Sequence, residues 1–101
     1  MIRKQQIIVR ERDVERKLVR EVKAIGGLCL KLTSPSVDGL PDRLVLLNSG
    51  KIGFVELKAP GKKPSVLQVK RMKDLQALGF KVFVVDETSQ IGGVIDAIRA
   101  T

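Results

Sequence analysis

Apolar residues recur at helical spacing near the start of the chain. When successive residues are placed about 100° apart around a helix axis, one face between about Glu11 and Ile25 carries Val14, Leu18, Val22 and Ile25. Gly26 and Gly27 follow directly and are typical of a helix end. The pattern predicts a first amphipathic helix. Residues 1–9 before it are polar and basic around a short apolar patch, which favours a flexible arm or an edge strand.

Short strand-like runs separated by turn signals follow the first helix. These runs predict strands over 28–33, 42–47, 52–58 and 81–86. Asn48-Ser49-Gly50-Lys51 between the second and third runs is typical of a hairpin turn. Helical spacing and end signals predict two further helices, over 65–78 and 88–100. The resulting order of helix, three strands, helix, strand and helix predicts an α/β fold with a mixed sheet covered by helices.

The length and charge of the chain narrow the classes of function. A chain of 101 residues holds one hydrophobic core, so we expect a single domain over 1–101. Its 19 basic and 11 acidic residues give a net charge of +8. A field this positive attracts polyanions, of which nucleic acid is the first expectation and an anionic membrane surface the second.

Residue types that the sequence lacks exclude several chemistries. There is no His, which excludes His-based acid–base catalysis, Ser-His and Cys-His nucleophiles and His-ligated zinc. Cys29 is alone, so no internal disulfide forms, and we expect an intracellular protein. No apolar run approaches the roughly 20 residues of a membrane span, and the polar start is unlike a signal peptide. An enzyme with this composition relies on Asp, Glu, Lys and an oxygen-liganded cation.

Charged residues cluster at one predicted end of the sheet. Glu56 and Lys58 share a strand face because alternate residues point the same way, and Asp42 lies at a similar distance from the hairpin turn as Glu56. If the register pairs Asp42 with Glu56, two carboxylates converge with an ammonium beside them. Two facing carboxylates repel each other unless a cation lies between them, which favours a hard-metal site. The alternative is a strand-end salt bridge between Lys58 and either acid.

Polar residues also interrupt the apolar faces of two helices. Glu15 falls on the inward stripe of the first helix, next to Val22, where a carboxylate is costly unless it is paired or binds a metal. This position indicates a polar centre beneath the helix. Gln68 falls on the inward stripe of the second helix, but Ser65-Val66-Leu67-Gln68 also fits a capping box, which is a structural use.

Other polar residues are candidates for contact with nucleic acid. Lys31 faces either the polar centre or solvent, and Ser34 either binds a phosphate or completes a turn. The side of the first helix opposite its apolar stripe is basic and is a candidate to follow a DNA backbone; it carries Arg12, Arg16, Arg20 and Lys23.

Taken in order, these motifs resemble a known nuclease family. The sequence Gly39-Leu40-Pro41-Asp42, then Val55-Glu56-Leu57-Lys58, then Gln68 is similar to the PD-(D/E)XK motif in the form found in virus-type replication-repair nuclease (VRR-NUC) domains. Glu15 matches the N-terminal helical Glu of that family. The resemblance runs from about Val14 to Val85, and it implies a restriction-endonuclease-like α/β fold, here with an added C-terminal helix.

The resemblance implies a divalent-metal-dependent DNA endonuclease that leaves a 5′-phosphate and a 3′-hydroxyl. By that similarity Asp42 and Glu56 bind Mg²⁺ or Mn²⁺ with the carbonyl of Leu57, and Glu15 supports the metal directly or through water. Lys58 stabilises charge at the scissile phosphate, and Gln68 orients Lys58. No organic cofactor and no membrane are implied.

Stand-alone members of the family occur in bacteriophage and bacteria and resemble archaeal Holliday-junction resolvases, which act as homodimers. We therefore expect a homodimer that cuts branched duplex DNA in the cytoplasm of a bacterial or phage-infected cell. The apolar third helix and the N-terminal segment are the candidate interfaces.

Two other functions fit the composition. One is a non-catalytic, basic nucleic-acid-binding module, although such a binder gains nothing from acids that repel phosphate. The other is a nuclease that acts on flaps or linear duplex. Three Phe with no Trp or Tyr argue against recognition of single strands by stacking and favour contacts to a duplex backbone.

Overall fold

Three helices and four strands make up the part of the chain that the computed structural model describes, residues 8–101. They occur in the predicted order: α1 (Glu11–Ala24), β1 (Leu28–Lys31), β2 (Arg43–Leu47), β3 (Lys51–Leu57), α2 (Val66–Ala77), β4 (Val82–Val85) and α3 (Ile91–Arg99). The arm or edge strand expected over 1–9 lies outside the described residues up to residue 7, and residues 8–10 form no strand. None of the helices described has the length and apolar character needed to cross a bilayer.

The four strands form one mixed sheet in the order β1-β2-β3-β4. The first three are antiparallel neighbours, whereas β4 pairs parallel to β3 after the crossover through α2. A short 3₁₀ turn over Asn48–Gly50 closes the hairpin between β2 and β3, with Ser49 at a φ of 66°. The predicted α/β class with a mixed sheet is confirmed.

The predicted third helix differs from the structure at its beginning. A 3₁₀ turn occupies Thr88–Gln90, and α-helical geometry begins only at Ile91. Gln90 explains the delay, because its side-chain oxygen accepts hydrogen bonds from the backbone amides of Asp86 and Glu87. This local capping holds the chain in a tight turn before the helix proper.

The hydrophobic core lies on one face of the sheet, between the strands and the helices α1 and α3. Its buried side chains come from all three layers: Val14, Leu18, Val22, Val45, Leu47, Val55, Leu57, Val85, Ile91, Val94, Ile95 and Ile98. Gly53 lies where α3 crosses β3, and a Cβ there would lie 2.5 Å from Ile98 Cδ1. The glycine therefore lets the helix pack directly on the strand.

The apolar side of α3 is used inside this core. Ile91, Val94, Ile95 and Ile98 are all buried within the chain. The expectation that the third helix offers an apolar surface to a partner is therefore wrong, since its hydrophobic pattern is explained by packing on the sheet.

The opposite face of the sheet is only partly covered. The register places Leu30 beside Leu44, which pairs with Phe54, so these three share that face. Helix α2 contacts β4, and Phe80 packs edge-on against Phe54 with ring centroids 5.6 Å apart. Exposed side chains nevertheless remain at Leu28, Leu30, Ile52 and Val84, which are 58%, 42%, 37% and 41% exposed.

Candidate active site

Two carboxylates meet at the end of the sheet away from the hairpin. Arg43 pairs with Val55, and this register continues to place Asp42 opposite Glu56. Asp42 Oδ2 accepts a hydrogen bond of 2.8 Å from the backbone amide of Leu57, which fixes the aspartate against β3. The register on which the sequence-based metal hypothesis depended is therefore the register of the structure.

Glu56 is a buried carboxylate without a full set of partners. Its side chain is 1% exposed, and within residues 8–101 neither carboxylate oxygen has a hydrogen-bond donor. The Lys58 ammonium lies 3.2 Å from Oε2 as an ion pair but lacks hydrogen-bond alignment. A buried charge in this state is costly, because water no longer solvates it and one offset ammonium is its compensation.

The electrostatic environment favours a proton on Glu56 in the absence of a cation. Burial, as the largest cause, and the negative charge of Asp42 together raise the pKa of Glu56 to about 7, and Lys58 opposes both effects. Ionised carboxylates only accept hydrogen bonds, so the proton also lets Glu56 donate to Asp42. A divalent cation between the two groups would replace that proton and remove their repulsion.

The donor set fits a hard cation with few protein ligands. Two carboxylates are the oxygen donors that Mg²⁺ and Mn²⁺ favour, and Mg²⁺ commonly keeps several waters and binds through one or two carboxylates. No cluster of three or more His, Cys, Asp or Glu suited to a metal occurs in the described part of the chain. Asp42 and Glu56 would therefore hold the ion, with substrate oxygens and water as its other ligands.

Glu15 is not brought into this acidic pair. Its Oε2 accepts a hydrogen bond of 3.0 Å from Arg43 Nε, and Arg43 Nη1 donates to the carbonyl of Cys29 at 3.1 Å. Arg43 belongs to the face of β2 that carries Val45, whereas Asp42 and Glu56 lie on the other face. The polar centre expected beneath α1 is this ion pair between Glu15 and Arg43.

Sequence reasoning missed Arg43, although a signal for it was present. In β2 the residues that share its face, Val45 and Leu47, are buried. A guanidinium on a buried strand face requires a counter-charge, and Glu15 was the unexplained acid on the inward side of the facing helix. Pairing these two exceptions would have predicted the contact.

Gln68 acts in the capping box. Its Oε1 accepts from the amide of Ser65 at 2.9 Å, and its own amide donates to Ser65 Oγ at 3.1 Å. The hydrogen bonds described for Gln68 run to Ser65 and none runs to Lys58. The structural alternative is therefore the observed one, because the cap satisfies amides at the start of α2 that would otherwise lack acceptors.

Ser34 stabilises a turn, and Lys31 is exposed to solvent. Ser34 Oγ accepts from the amides of Ser36 and Val37 at 3.4 and 3.2 Å, so it stabilises a turn. Lys31 is exposed on the edge strand β1, opposite Arg43 in the register. The hydrogen bonds described for Ser34 stay within its own turn and do not reach the acidic pair.

The basic side of α1 extends from the acidic end of the sheet to the hairpin end. Its arginines Arg12, Arg16 and Arg20 are exposed. Glu15 reaches Arg43 at the acidic end, whereas Ile25 lines a cavity of about 170 Å³ with Asn48 of the hairpin. Along the helix axis, Arg12 and Arg16 therefore lie towards the acidic end of the sheet and Arg20 towards the hairpin end, while α1 itself packs on the face opposite Asp42 and Glu56.

Two contacts that the sequence did not reveal hold the loop before Asp42. Arg71 of α2 donates from Nε to the carbonyl of Asp38 at 3.0 Å. Gly39 has a φ of +80°, and a Cβ there would lie 3.0 Å from the backbone oxygen of Leu67. Glycine is thus required on both counts for the loop to lie against α2 and lead into Asp42.

Known proteins resemble this chain over most of its length. No protein-family model matches the sequence. The chain is 45% identical over 92 residues to a protein named "Putative nuclease p44" of Acyrthosiphon pisum secondary endosymbiont phage 1, a match that covers 91% of this chain and 98% of that protein. A solved structure described as a VRR_NUC domain shares 34% identity with a TM-score of 0.79, covering 85% of this chain and 94% of the other.

Proposed function

The chain belongs to the VRR-NUC family, and from that membership we propose that this nuclease is an endonuclease that hydrolyses DNA with the aid of Mg²⁺ or Mn²⁺. The observation that carries the proposal is the buried carboxylate of Glu56, which has no hydrogen-bond donor within residues 8–101 and faces Asp42. A site built only for stability would give both oxygens of such a group well-aligned hydrogen-bond donors, whereas a metal site leaves those oxygens available.

The residues of the site have distinct roles in phosphodiester hydrolysis. Asp42 and Glu56 would hold the cation, which when bound would supply positive charge to activate water and to offset charge on the phosphate. Lys58 lies 3.2 Å from Glu56 and is 20% exposed, so its ammonium is available to stabilise the negative charge that develops on the phosphate. The hydrogen bond from Leu57 keeps Asp42 in place during the reaction.

Substitution of Asp42 tests the proposal. Asp42→Asn keeps the size and one acceptor of the side chain but removes the charge, so cleavage with Mg²⁺ or Mn²⁺ should fall by orders of magnitude, about 10²-fold or more. DNA affinity should persist or increase because a negative charge near phosphate is lost. Asp96→Asn is the matched control, since Asp96 is exposed on α3, which packs on the sheet face opposite Glu56. Cleavage by Asp42→Asn at the wild-type rate, or by the wild type in excess EDTA, would refute the metal site.

For the substrate, we propose branched duplex DNA cut by a homodimer inside a bacterial or phage-infected cell. One chain has one acidic pair, whereas a two-fold dimer presents two sites of opposite strand polarity, as a four-way junction needs. The partly uncovered sheet face supports a second copy as its occupant. Copies with a net charge of +8 repel each other, so association needs an apolar surface whose burial offsets that repulsion, and Leu28, Leu30 and Ile52 supply such a surface.

A further inference from the structure

Arg43 connects three elements at the strand position next to Asp42. Its guanidinium donates to Glu15 of α1 and to the carbonyl of Cys29 in β1, at 3.0 and 3.1 Å. The side chains of Arg43 and Glu15 are 16% and 29% exposed, so solvent screens their attraction only in part. Loss of either partner would leave the other charge half-buried without compensation.

The orientation of Arg43 also determines that of its neighbour. Successive side chains of a strand point to opposite faces of the sheet. Because its contacts fix the Arg43 side chain on the face that α1 covers, the Asp42 side chain points to the other face, towards Glu56. On the other side, the Leu57 amide holds Asp42 Oδ2 at 2.8 Å. Asp42 is thus fixed by the anchored strand start and by the Leu57 amide of β3, although it lies one residue before β2 begins.

We propose that Glu15 and Arg43 form a positioning pair for Asp42, and that Glu15 acts on the reaction through Arg43 instead of as a ligand of the cation. This inference rests on the proposed nuclease function and deepens it. It differs from the role that family resemblance implies for Glu15, because here Oε2 is engaged by Arg43 on the opposite face from Glu56.

Removal of Arg43 distinguishes the two roles of Glu15 by the sign of its effect. If Glu15 were a metal ligand that Arg43 occupies in the metal-free protein, Arg43→Ala would free Glu15 and tighten the binding of Mn²⁺. A positioning pair predicts that Mn²⁺ binding, measured by calorimetry without DNA, does not tighten. It also predicts that kcat at saturating metal and DNA falls about tenfold or more, since small displacements of reacting groups carry large costs in rate.

A double-mutant cycle supplies the second readout. Glu15→Ala, Arg43→Ala and the double variant should lower kcat by similar factors, because residues that act as one unit are not additive. Glu15→Gln keeps an acceptor for Arg43 Nε and should retain kcat within about threefold of the wild type. A metal ligand would instead lose Mn²⁺ affinity in Glu15→Gln and Glu15→Ala alike, and the effects of Glu15→Ala and Arg43→Ala would add.

Lys17→Ala is the matched control, because it also removes a hydrogen bond that joins α1 to another part of the chain. Lys17 Nζ donates to the Thr88 carbonyl at 3.2 Å, so the variant should lower the melting temperature without lowering kcat. Equal losses of kcat in Lys17→Ala and Glu15→Ala, measured below both melting temperatures, would show a merely structural role and overturn the proposal. Wild-type protein that binds Mn²⁺ without cutting DNA would refute the nuclease function, while the Mn²⁺ affinities of the variants would still decide the role of Glu15.

Discussion

Glu56 joins the chemistry of the site to the stability of the fold. It is the buried charged residue of the described core, and its two carboxylate oxygens have no hydrogen-bond partner within residues 8–101. Replacement of a carboxylate proton by such an ion is a pH-dependent exchange, because the ligand has to be deprotonated. In the proposed metal site, Glu56 would therefore lower the stability of the metal-free protein at neutral pH, as functional residues often do.

The first prediction concerns the melting temperature of the metal-free protein. The pKa of Glu56 is raised from 4.5 to about 7, so the folded state binds its proton more tightly than the unfolded state. This stabilisation is complete below about pH 4.5 and is lost as the pH rises through about 7, a loss of up to about 3 kcal/mol. In EDTA, the melting temperature of the wild type minus that of Glu56→Gln should therefore decrease as the pH rises from about 5 to about 8.

Comparison with Glu56→Gln is the control, because glutamine cannot ionise and all other titrating groups are retained. Each kcal/mol corresponds to roughly 4–8 °C in a domain of this size, so the effect is measurable. Mn²⁺ should restore the wild type near pH 8 and leave Glu56→Gln less affected. A constant difference between the two proteins across this pH range would contradict the prediction.

At the scale of elements, α1 serves two surfaces of the protein. Its inward side packs Val14, Leu18 and Val22 into the core, and its outward side is basic. The direction of the helix gives its basic residues unequal positions, since Glu15 is at the acidic end of the sheet and Ile25 beside the hairpin. A DNA duplex that extends from the acidic pair around this end of the sheet would therefore meet the first turns of α1 before its last.

The salt dependence of DNA binding tests this difference. Each phosphate contact contributes roughly 0.9 to the slope of log affinity against log salt, so Arg12→Ala with Arg16→Ala should flatten the slope by up to about two units. Arg20→Ala with Lys23→Ala removes the same charge from the far end of the helix and is the matched control. Equal flattening by both double variants would indicate a general field effect and not contact by the first turns.

At the scale of the whole molecule, helices cover one face of the sheet and leave the other face partly exposed. Both α1 and α3 pack on the core face, whereas α2 alone contacts the sheet from the β4 side. Small domains bury a limited share of their surface, and an apolar face left open on such a domain is typical of an interface. The open face also carries Glu56 near one end, so a partner on it would lie close to the active site.

Light scattering tests the proposed dimer. The wild type should have a mass of about twice 11.1 kDa, and Leu28→Glu with Leu30→Glu should convert it to a monomer, because buried charge opposes association. Leu78→Glu is the control, as Leu78 is 74% exposed at the end of α2 and off the sheet. On a supercoiled plasmid that carries a four-way junction, the dimer should make paired cuts and the monomer single nicks. A monomeric wild type that prefers flaps to junctions would contradict this substrate.

The sequence alone determined the elements and the position of the acidic pair, because both follow from local periodicity. Helical spacing predicted α1, alternation and turn residues predicted the hairpin, and equal distances from that turn placed Asp42 opposite Glu56. Only the tertiary structure decided the partners of residues that are distant in sequence. Glu15 and Arg43 are 28 residues apart, and which strand face meets α1 depends on the packing of the whole sheet. For the same reason, the apolar pattern of α3 did not show whether its partner was this chain's own sheet or another surface.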